Sequence, residues 1–180
     1  MDNFNVRKDD VFLEKIVTRR KTGKDYLKIA AVVIGALLVL FLLVLFSQVI
    51  GFLTPLLLAG VVYAFYILLT GMSIEYEYIV TNGDLDIDQI IARRKRKRIY
   101  SCQAKDIEIM ARLDSDEWRQ VQQQTGRKLL DCSAVFSSSD NWFILSEYKN
   151  QRVTVVFAPD ERMLKNLRRF NPSRVKYIPH

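Results

Sequence analysis

Charge is missing from a long stretch of this 180-residue sequence: residues 29–74 contain no Asp, Glu, Lys, Arg or His. Proton relays and ion pathways normally require ionisable side chains inside the membrane. Their absence argues against a transporter. It also makes the stretch a candidate for burial in lipid, because an apolar run of about 18 residues or more is typical of a transmembrane helix.

Metal-ligating and catalytic motifs are scarce as well. The chain has one histidine, His180, and two cysteines, Cys102 and Cys132, which do not form a C-x-x-C pair. No zinc site of the usual spacing can be assembled from them, and we expect both thiols to be reduced in the cytoplasm. A glycine-rich phosphate loop and the G-x-S-x-G and H-E-x-x-H motifs are also absent. We therefore predict a non-enzymatic protein without a metal or cofactor.

The uncharged stretch is too long for one membrane helix, since a bilayer core of about 30 Å needs roughly 20 residues. We predict a two-helix hairpin over residues 29–72, with helices at about 29–50 and 53–72 and a bend marked by Gly51 and Pro55. A cleaved signal peptide is the rival interpretation, but the first apolar run is too long and a second follows it at once. Small residues recur at Ala31-x-x-x-Gly35 and Gly60-x-x-x-Ala64, and they favour packing of the hairpin on itself over a dimer interface.

Basic residues flank the hairpin, whereas the connecting turn has no charge. Those before the first helix are Arg19, Arg20, Lys21, Lys24 and Lys28, and those after the second are Arg93, Arg94, Lys95, Arg96, Lys97 and Arg98. By the positive-inside rule we predict a multi-pass protein of the cell membrane with both chain ends in the cytoplasm.

Residues 1–28 form a cytoplasmic N-terminal segment in this scheme. Its apolar residues between Val11 and Val17 lie among charged ones. The pattern fits either a short amphipathic helix on the membrane surface or a loosely ordered tail.

Residues 73–180 show the alternating pattern of half-buried strands. Ile74, Tyr76, Tyr78 and Val80 share one face of the first predicted strand, and Glu75, Glu77 and Thr81 share the other. Asn82-Gly83 then predicts a two-residue hairpin turn. On the return strand Asp84, Asp86 and Asp88 are expected to face outward.

Five further strands are predicted at about 97–101, 107–113, 129–136, 142–148 and 152–157, which makes seven in all. The stretch 114–126 reads as a short helix, and an amphipathic helix is predicted at 159–170. The expected fold class is an α+β membrane protein: a transmembrane hairpin followed by a small antiparallel β-barrel closed by a C-terminal helix.

A family resemblance accompanies these patterns. The run Tyr78-Ile79-Val80-Thr81-Asn82-Gly83-Asp84-Leu85-Asp86-Ile87, a basic loop, and a strand region ending in Lys105-Asp106-Ile107-Glu108-Ile109 resemble the opening of bacterial pleckstrin-homology-like (PH-like) domains. Over residues 15–175 the chain resembles an uncharacterised family of small bacterial two-span membrane proteins with such a domain. No activity is established for this family, so the resemblance implies none for this chain. The predicted helix at 114–126 departs from the shortest form of the fold.

The basic hexad 93–98 is the candidate site. If the first two strands run out from the membrane and back, the hexad returns to the surface, where each charge near anionic lipid contributes about 1 kcal/mol. We therefore predict contact with anionic head groups by the hexad and by the basic residues before the first helix. A solvated loop that only sets topology is the alternative. Nucleic-acid binding is not expected, because no recognition helix or aromatic stacking pattern accompanies the charges.

Two functions remain open. The first is a membrane-anchored scaffold whose PH-like domain binds an unidentified protein partner or the lipid surface. The second is a small regulatory subunit of a membrane complex that acts through its transmembrane helices. The sequence does not indicate an oligomeric state.

Overall fold

The computed structural model describes residues 11–124 and 126–178. These fall into two compact units. The first unit contains Arg20–Ile74 and Ile91–Lys95, and the second contains the other described residues.

The first unit is built on a helical hairpin. Helix α1 spans Gly23–Leu45, α2 spans Ser47–Ile50, a 3₁₀ turn spans Gly51–Leu53, and α3 spans Thr54–Gly71. The segments Gly23–Leu45 and Ser47–Gly71 are both long and apolar enough to cross a membrane. The bend lies where it was predicted, with Gly51 at a φ of +64° and Pro55 in the first turn of α3.

Helix α1 begins six residues earlier than predicted, at Gly23 rather than at Ile29. Its first turn is closed by a capping box: the Asp25 carboxylate accepts hydrogen bonds of 2.9 Å from the backbone N–H and the hydroxyl of Thr22. Such a cap satisfies amide groups that the first helical turn leaves unpaired. The helix therefore includes charged residues that a search for apolar sequence excludes.

The half-buried positions of α1 mark the side that contacts α3. The half-buried positions of α1 include Ile29, Val33, Ala36, Leu40 and Leu43, which repeat at spacings of four and three. By contrast, a Cβ atom added at Gly35 or Gly60 would meet nothing within 4 Å. The expectation that these small residues pack the hairpin on itself is wrong, because they lie on its outer surface.

The N-terminal segment differs from both predicted forms. Phe12–Thr18 is neither a helix nor a loose tail but a strand, β1, which pairs antiparallel with β2, Ile74–Thr81. Strand pairing supplies hydrogen-bond partners to backbone groups of both β1 and β2. The remainder of the segment, residues 1–10, lies outside the described residues.

The second unit contains two four-stranded sheets. The first has the order β1-β2-β3-β4, where β3 is Asp84–Ile91 and β4 is Lys95–Gln103. The second has the order β5-β7-β8-β6 and contains β5 Ile107–Arg112, β6 Lys128–Asp131, β7 Trp142–Tyr148 and β8 Gln151–Phe157. Two helices, α4 Asp116–Gln123 and α5 Glu161–Phe170, and a 3₁₀ turn at Ala104–Asp106 complete it.

Three features of the predicted barrel need correction. The described residues form eight strands rather than seven, because β1 joins the first sheet. They form no closed barrel, since closure requires every strand to pair with a strand on both sides, and the described residues form two separate sheets that each begin and end with a strand paired on one side only. The sheets are not wholly antiparallel either: β6 is parallel to β8 because the chain enters it after crossing over through α4.

Buried polar groups join the two sheets. The Tyr100 hydroxyl lies 2.6 Å from Oγ of Ser146, and both residues are fully buried. The hydroxyl of Tyr78 donates a 2.6 Å hydrogen bond to the carbonyl of Cys132. Burial raises the pKa of both phenols, so each remains a proton donor.

The helices cover apolar surface of this unit. Trp118 of α4 packs on Phe143 of β7 with ring centroids 5.1 Å apart. Phe170, at the end of α5, lies against the Asn82-Gly83 turn, and Asn166 accepts a 3.0 Å hydrogen bond from the Gly83 N–H. The predicted C-terminal helix therefore packs against the Asn82-Gly83 turn, which is the hairpin turn that the sequence indicates most clearly.

Candidate membrane-surface interface

Basic residues lie at the end of the hairpin where α1 begins. Arg20 and Lys21 come just before α1, and Lys24 and Lys28 lie within its first two turns. All four are exposed. Because α1 and α3 are packed neighbours joined by a short turn, the start of α1 and the end of α3 lie at the same end of the hairpin.

The turn between β3 and β4 returns to this end. The Ala92 N–H donates a 2.9 Å hydrogen bond to the carbonyl of Ser73, just beyond α3. Arg94 reaches one of the last turns of α3, where a guanidinium nitrogen donates a 3.0 Å hydrogen bond to the Tyr66 hydroxyl. Its guanidinium carbon lies 5.4 Å from the centre of the same ring, within the range of a cation–π contact.

The backbone of this turn is strained. Ala92 and Arg93 both have φ of +55°, and the Arg94 N–H donates a 3.0 Å hydrogen bond to the carbonyl of Ile91. A left-handed conformation costs a residue with a Cβ atom about 1–2 kcal/mol, and the two positions of such a turn are normally Asn or Gly. The contacts with Ser73 and Tyr66 offset this cost.

The hairpin unit therefore gathers basic residues from both clusters at one end. We define the basic collar as its seven basic residues: Arg20, Lys21, Lys24, Lys28, Arg93, Arg94 and Lys95. Asp25 is the single acid of this unit. The opposite end, residues 46–54, has no charge. This is the polarity that the positive-inside rule describes.

Arg96 and Arg98 belong to the second unit and have carboxylate partners there. Arg96 lies 2.5 Å from the carboxylate of Glu77, which is 1% exposed. Arg98 lies 2.6 Å from Asp86 and also pairs with Asp88, which is buried. These two charges are therefore largely neutralised within the protein.

The acidic partners correct the predicted faces of the first sheet. Asp88 was expected to face outward, yet it is 4% exposed. Burial raises the pKa of Glu77, a hydrogen bond with Glu14 raises it further, and Arg96 opposes both effects. A neighbouring guanidinium offsets part of the free energy that it costs to bury a charged carboxylate. Glu77 and Asp88 can therefore be buried although both are acidic.

Two predicted contact residues remain, Arg19 and Lys97. Lys97 of β4 is exposed, and Arg19, which directly follows β1 and is assigned to the second unit, is half-buried. The structure thus assembles seven of the eleven predicted residues in one unit. Arg19, Arg96, Lys97 and Arg98 belong to the second unit. The alternating acids of β2 and β3 were the only sequence signal for the ion pairs.

Both cysteines belong to the second unit, and both are free and buried. Burial raises the pKa of Cys102 and of Cys132 to about 12. Among residues 11–124 and 126–178, no group of three or more His, Cys, Asp or Glu side chains could hold a metal ion.

Comparison with known proteins identifies a family. A family model described as Bacterial PH-like domain (DUF6106) matches residues 9–177. No curated protein and no solved structure matches the chain. The match covers nearly the whole chain, including the apolar hairpin, and it confirms the resemblance that the Tyr78–Ile109 region indicates. The chain belongs to this bacterial PH-like domain family.

Proposed function

We propose that this protein is a non-enzymatic scaffold of the cell membrane that presents its PH-like domain on the cytoplasmic side. The supporting observation is the charge polarity of the hairpin unit, with the basic collar at one end and no charge at the other. Both chain ends would then lie in the cytoplasm. The domain would be available there to an unidentified protein partner.

The basic collar is the proposed contact with anionic lipid head groups. Each Lys or Arg near an anionic surface contributes about 1 kcal/mol, which the helices do not need for anchoring but which fixes the position of the β3–β4 turn. Arg96 and Arg98 contribute little to this contact because Glu77, Asp86 and Asp88 neutralise them. The same neutralisation weakens the case for nucleic acid as a partner, since phosphate binding depends on unpaired cations.

Orientation is tested by placing single thiols on the two sides. The native thiols are buried, so a membrane-impermeant maleimide should label only introduced ones. Gln48→Cys, in the uncharged turn, should be labelled in intact cells, and Ser137→Cys, exposed on the PH-like domain, only after permeabilisation. Labelling of Ser137→Cys in intact cells would overturn the proposed topology, as would release of the protein by alkaline carbonate.

Lipid contact is tested in micelles containing equal amounts of phosphatidylglycerol and phosphatidylcholine. The purified chain should retain an excess of the anionic lipid. Replacing Lys21, Lys24 and Lys28 by Gln should reduce that excess by about fivefold for each charge removed, as expected for about 1 kcal/mol. A control with Lys105, Lys165 and Lys176 replaced by Gln has the same net charge. Equal losses in the two variants would show that the collar has no specific role.

The outer surface of the hairpin supports a second candidate, a regulatory subunit that acts through its helices. Ala31, Gly35, Gly60 and Ala64 are exposed, and small residues of this kind permit close helix approach in a membrane. Gly35→Leu and Gly60→Leu should then abolish recovery of membrane partners in a pull-down from mild detergent. Under the scaffold proposal these variants should recover the same partners as the wild type.

A further inference from the structure

The two sheets of the PH-like domain leave an open seam between β4 and β6. Each of these strands ends its sheet, so one edge of each has no strand partner among the described residues. Residues from both line one cleft of about 220 Å³, together with residues of the β7–β8 hairpin. The seam is therefore a groove flanked by two strands, β4 and β6, whose edges toward the groove have no strand partner in the part of the chain that the structure describes.

The floor of this groove is apolar and its rim is basic. Ile99, Leu130 and Val153 supply apolar side chains, and the rim carries three lysines, Lys97, Lys128 and Lys149. No acidic residue lines the cleft.

The three lysines lack acidic partners. None of them forms an ion pair with any residue in the described parts of the chain. Lys149 instead lies over the ring of Tyr148, with its ammonium nitrogen 5.1 Å from the ring centre. This differs from Arg98, which lines the same cleft but pairs with Asp86 and Asp88. The groove thus keeps a local positive charge that no described residue neutralises.

We propose that the groove binds an extended segment of a partner protein in which acidic residues alternate with apolar ones. An added strand would pair its backbone with a free edge, place alternate apolar side chains over Leu130 and its neighbours, and direct the acidic side chains to the lysines. Charge complementarity identifies the occupant, because neutral or basic segments would leave the three ammonium groups unpaired. This inference rests on the proposed scaffold function and names its binding surface.

Lysines on edge strands also have a simpler role, which is to prevent sheets from pairing with each other. In that case, removing the three charges would cause self-association and would not affect peptide binding. The two roles therefore predict different outcomes for the same variant.

The test uses the full chain in detergent and fluorescein-labelled synthetic peptides of eight residues. One peptide repeats Glu-Val, a second repeats Gln-Val, and a third is the Glu-Val peptide N-methylated at alternate backbone nitrogens. Fluorescence anisotropy should show binding of the first and at least tenfold weaker binding of the other two. Loss of binding on N-methylation distinguishes strand pairing from charge attraction alone.

The variant Lys97→Gln, Lys128→Gln, Lys149→Asn should bind the Glu-Val peptide at least tenfold more weakly. The control with Lys105, Lys165 and Lys176 replaced by Gln should stay within twofold of the wild type. Trp118 and Trp142 both lie in the domain, so their fluorescence verifies that each variant is folded.

The proposal would be overturned by equal weakening in the control, by undiminished binding of the N-methylated peptide, or by self-association of the variant with peptide affinity unchanged. Displacement of the peptide by millimolar inorganic phosphate at constant ionic strength would also contradict it, because the site would then be a simple anion site. Binding is measured in detergent and does not depend on membrane orientation. Failure here therefore leaves the proposed topology untouched, and failure of the labelling experiment leaves this result standing.

Discussion

The hydroxyl of Tyr66 in α3 accepts a 3.0 Å hydrogen bond from Arg94, a residue 28 positions later in the chain. This contact, with the 2.9 Å hydrogen bond from Ala92 to Ser73, holds the β3–β4 turn against the end of the helix. The apolar hairpin and the first half of the basic hexad, residues 93–95, are thereby parts of one unit.

Removing this contact should loosen the turn. Tyr66→Phe keeps the ring and loses only the hydrogen bond, which contributes about 0.5–1.5 kcal/mol, whereas Arg94→Gln also loses a cation–π contact of about 0.5–2 kcal/mol. Amide exchange of residues 91–95 should therefore accelerate moderately in the first variant and strongly in the second. Tyr63→Phe is the control, because Tyr63 is 64% exposed. Unchanged exchange in Arg94→Gln would show that the turn is held by other contacts.

Relieving the backbone strain at Ala92 should stabilise the turn without changing its charge. Ala92→Asn replaces a residue poorly suited to a φ of +55° by one that tolerates it, and we expect a gain of roughly 0.5–1 kcal/mol. The same exchange measurement on residues 91–95 should show slower opening. Ala134→Asn, at a residue that does not have positive φ, serves as the comparison and should show no gain.

Gly83 should tolerate no side chain. Its φ is +89°, and an added Cβ would lie 2.5 Å from a ring carbon of Phe170. Gly83→Ala should therefore lower the free energy of unfolding of the domain by about 2–4 kcal/mol, through backbone strain and overpacking together. Thermal unfolding followed by tryptophan fluorescence measures the loss. Adding Phe170→Ala should recover the steric part of it, and a double variant no better than Gly83→Ala alone would mean that backbone strain accounts for the whole effect.

The two native thiols should be inert in the folded protein. With the pKa of each raised to about 12 from an ordinary value near 9, the thiolate fraction at pH 8 is about 1,000-fold lower than in an exposed cysteine, and burial blocks access as well. A small maleimide should label neither Cys102 nor Cys132 until the protein is denatured.

The same pKa shifts give the direction of a pH effect. Between about pH 9 and 12 an unfolded thiol releases its proton while the folded one keeps it, so the free energy of unfolding falls as pH rises through this window. The slope is about 1.4 kcal/mol per pH unit for each thiol. Cys102→Ala should make this slope shallower. A wild type whose stability stays constant up to pH 12 would contradict the assignment.

The hydrogen bond between Tyr100 and Ser146 should couple the two sheets. Tyr100→Phe leaves the buried Ser146 hydroxyl without its partner, and we expect a loss of about 1–3 kcal/mol. In a double-mutant cycle, Ser146→Ala should cost much less once Tyr100 is already Phe. Additive losses would show that the two hydroxyls do not depend on each other.

Local sequence signals predicted the local features of this fold. Asn82-Gly83 was expected to be a turn, and both residues have positive φ. Lys149 and Asn150, between the strands predicted at 142–148 and 152–157, also have positive φ. The turn at Ala92-Arg93 carries no such signal, because neither residue prefers that conformation. It exists because Ser73 and Tyr66, more than 18 residues earlier in the chain, supply its contacts.

Features that depend on distant pairing were not predictable from residue patterns. Phe12–Thr18 lacks clear alternation of apolar and polar residues, and it becomes a strand only through β2, which follows the whole hairpin. The ion pairs of Arg96 and Arg98 likewise require the register that brings β4 beside the acids of β2 and β3. The sequence shows residues 93–98 as one basic run. Only the folded chain distinguishes the collar residues 93–95 from Arg96 and Arg98, which are neutralised by carboxylates.

The pairing of β1 with β2 has a consequence for biogenesis. The ribosome completes β1 before either apolar helix and β2 after both, so the first sheet cannot form until both helices have been synthesised. Folding of this sheet therefore follows synthesis of the whole hairpin. A truncation that starts after the hairpin would remove an edge strand from the sheet and would not yield the domain in its native form.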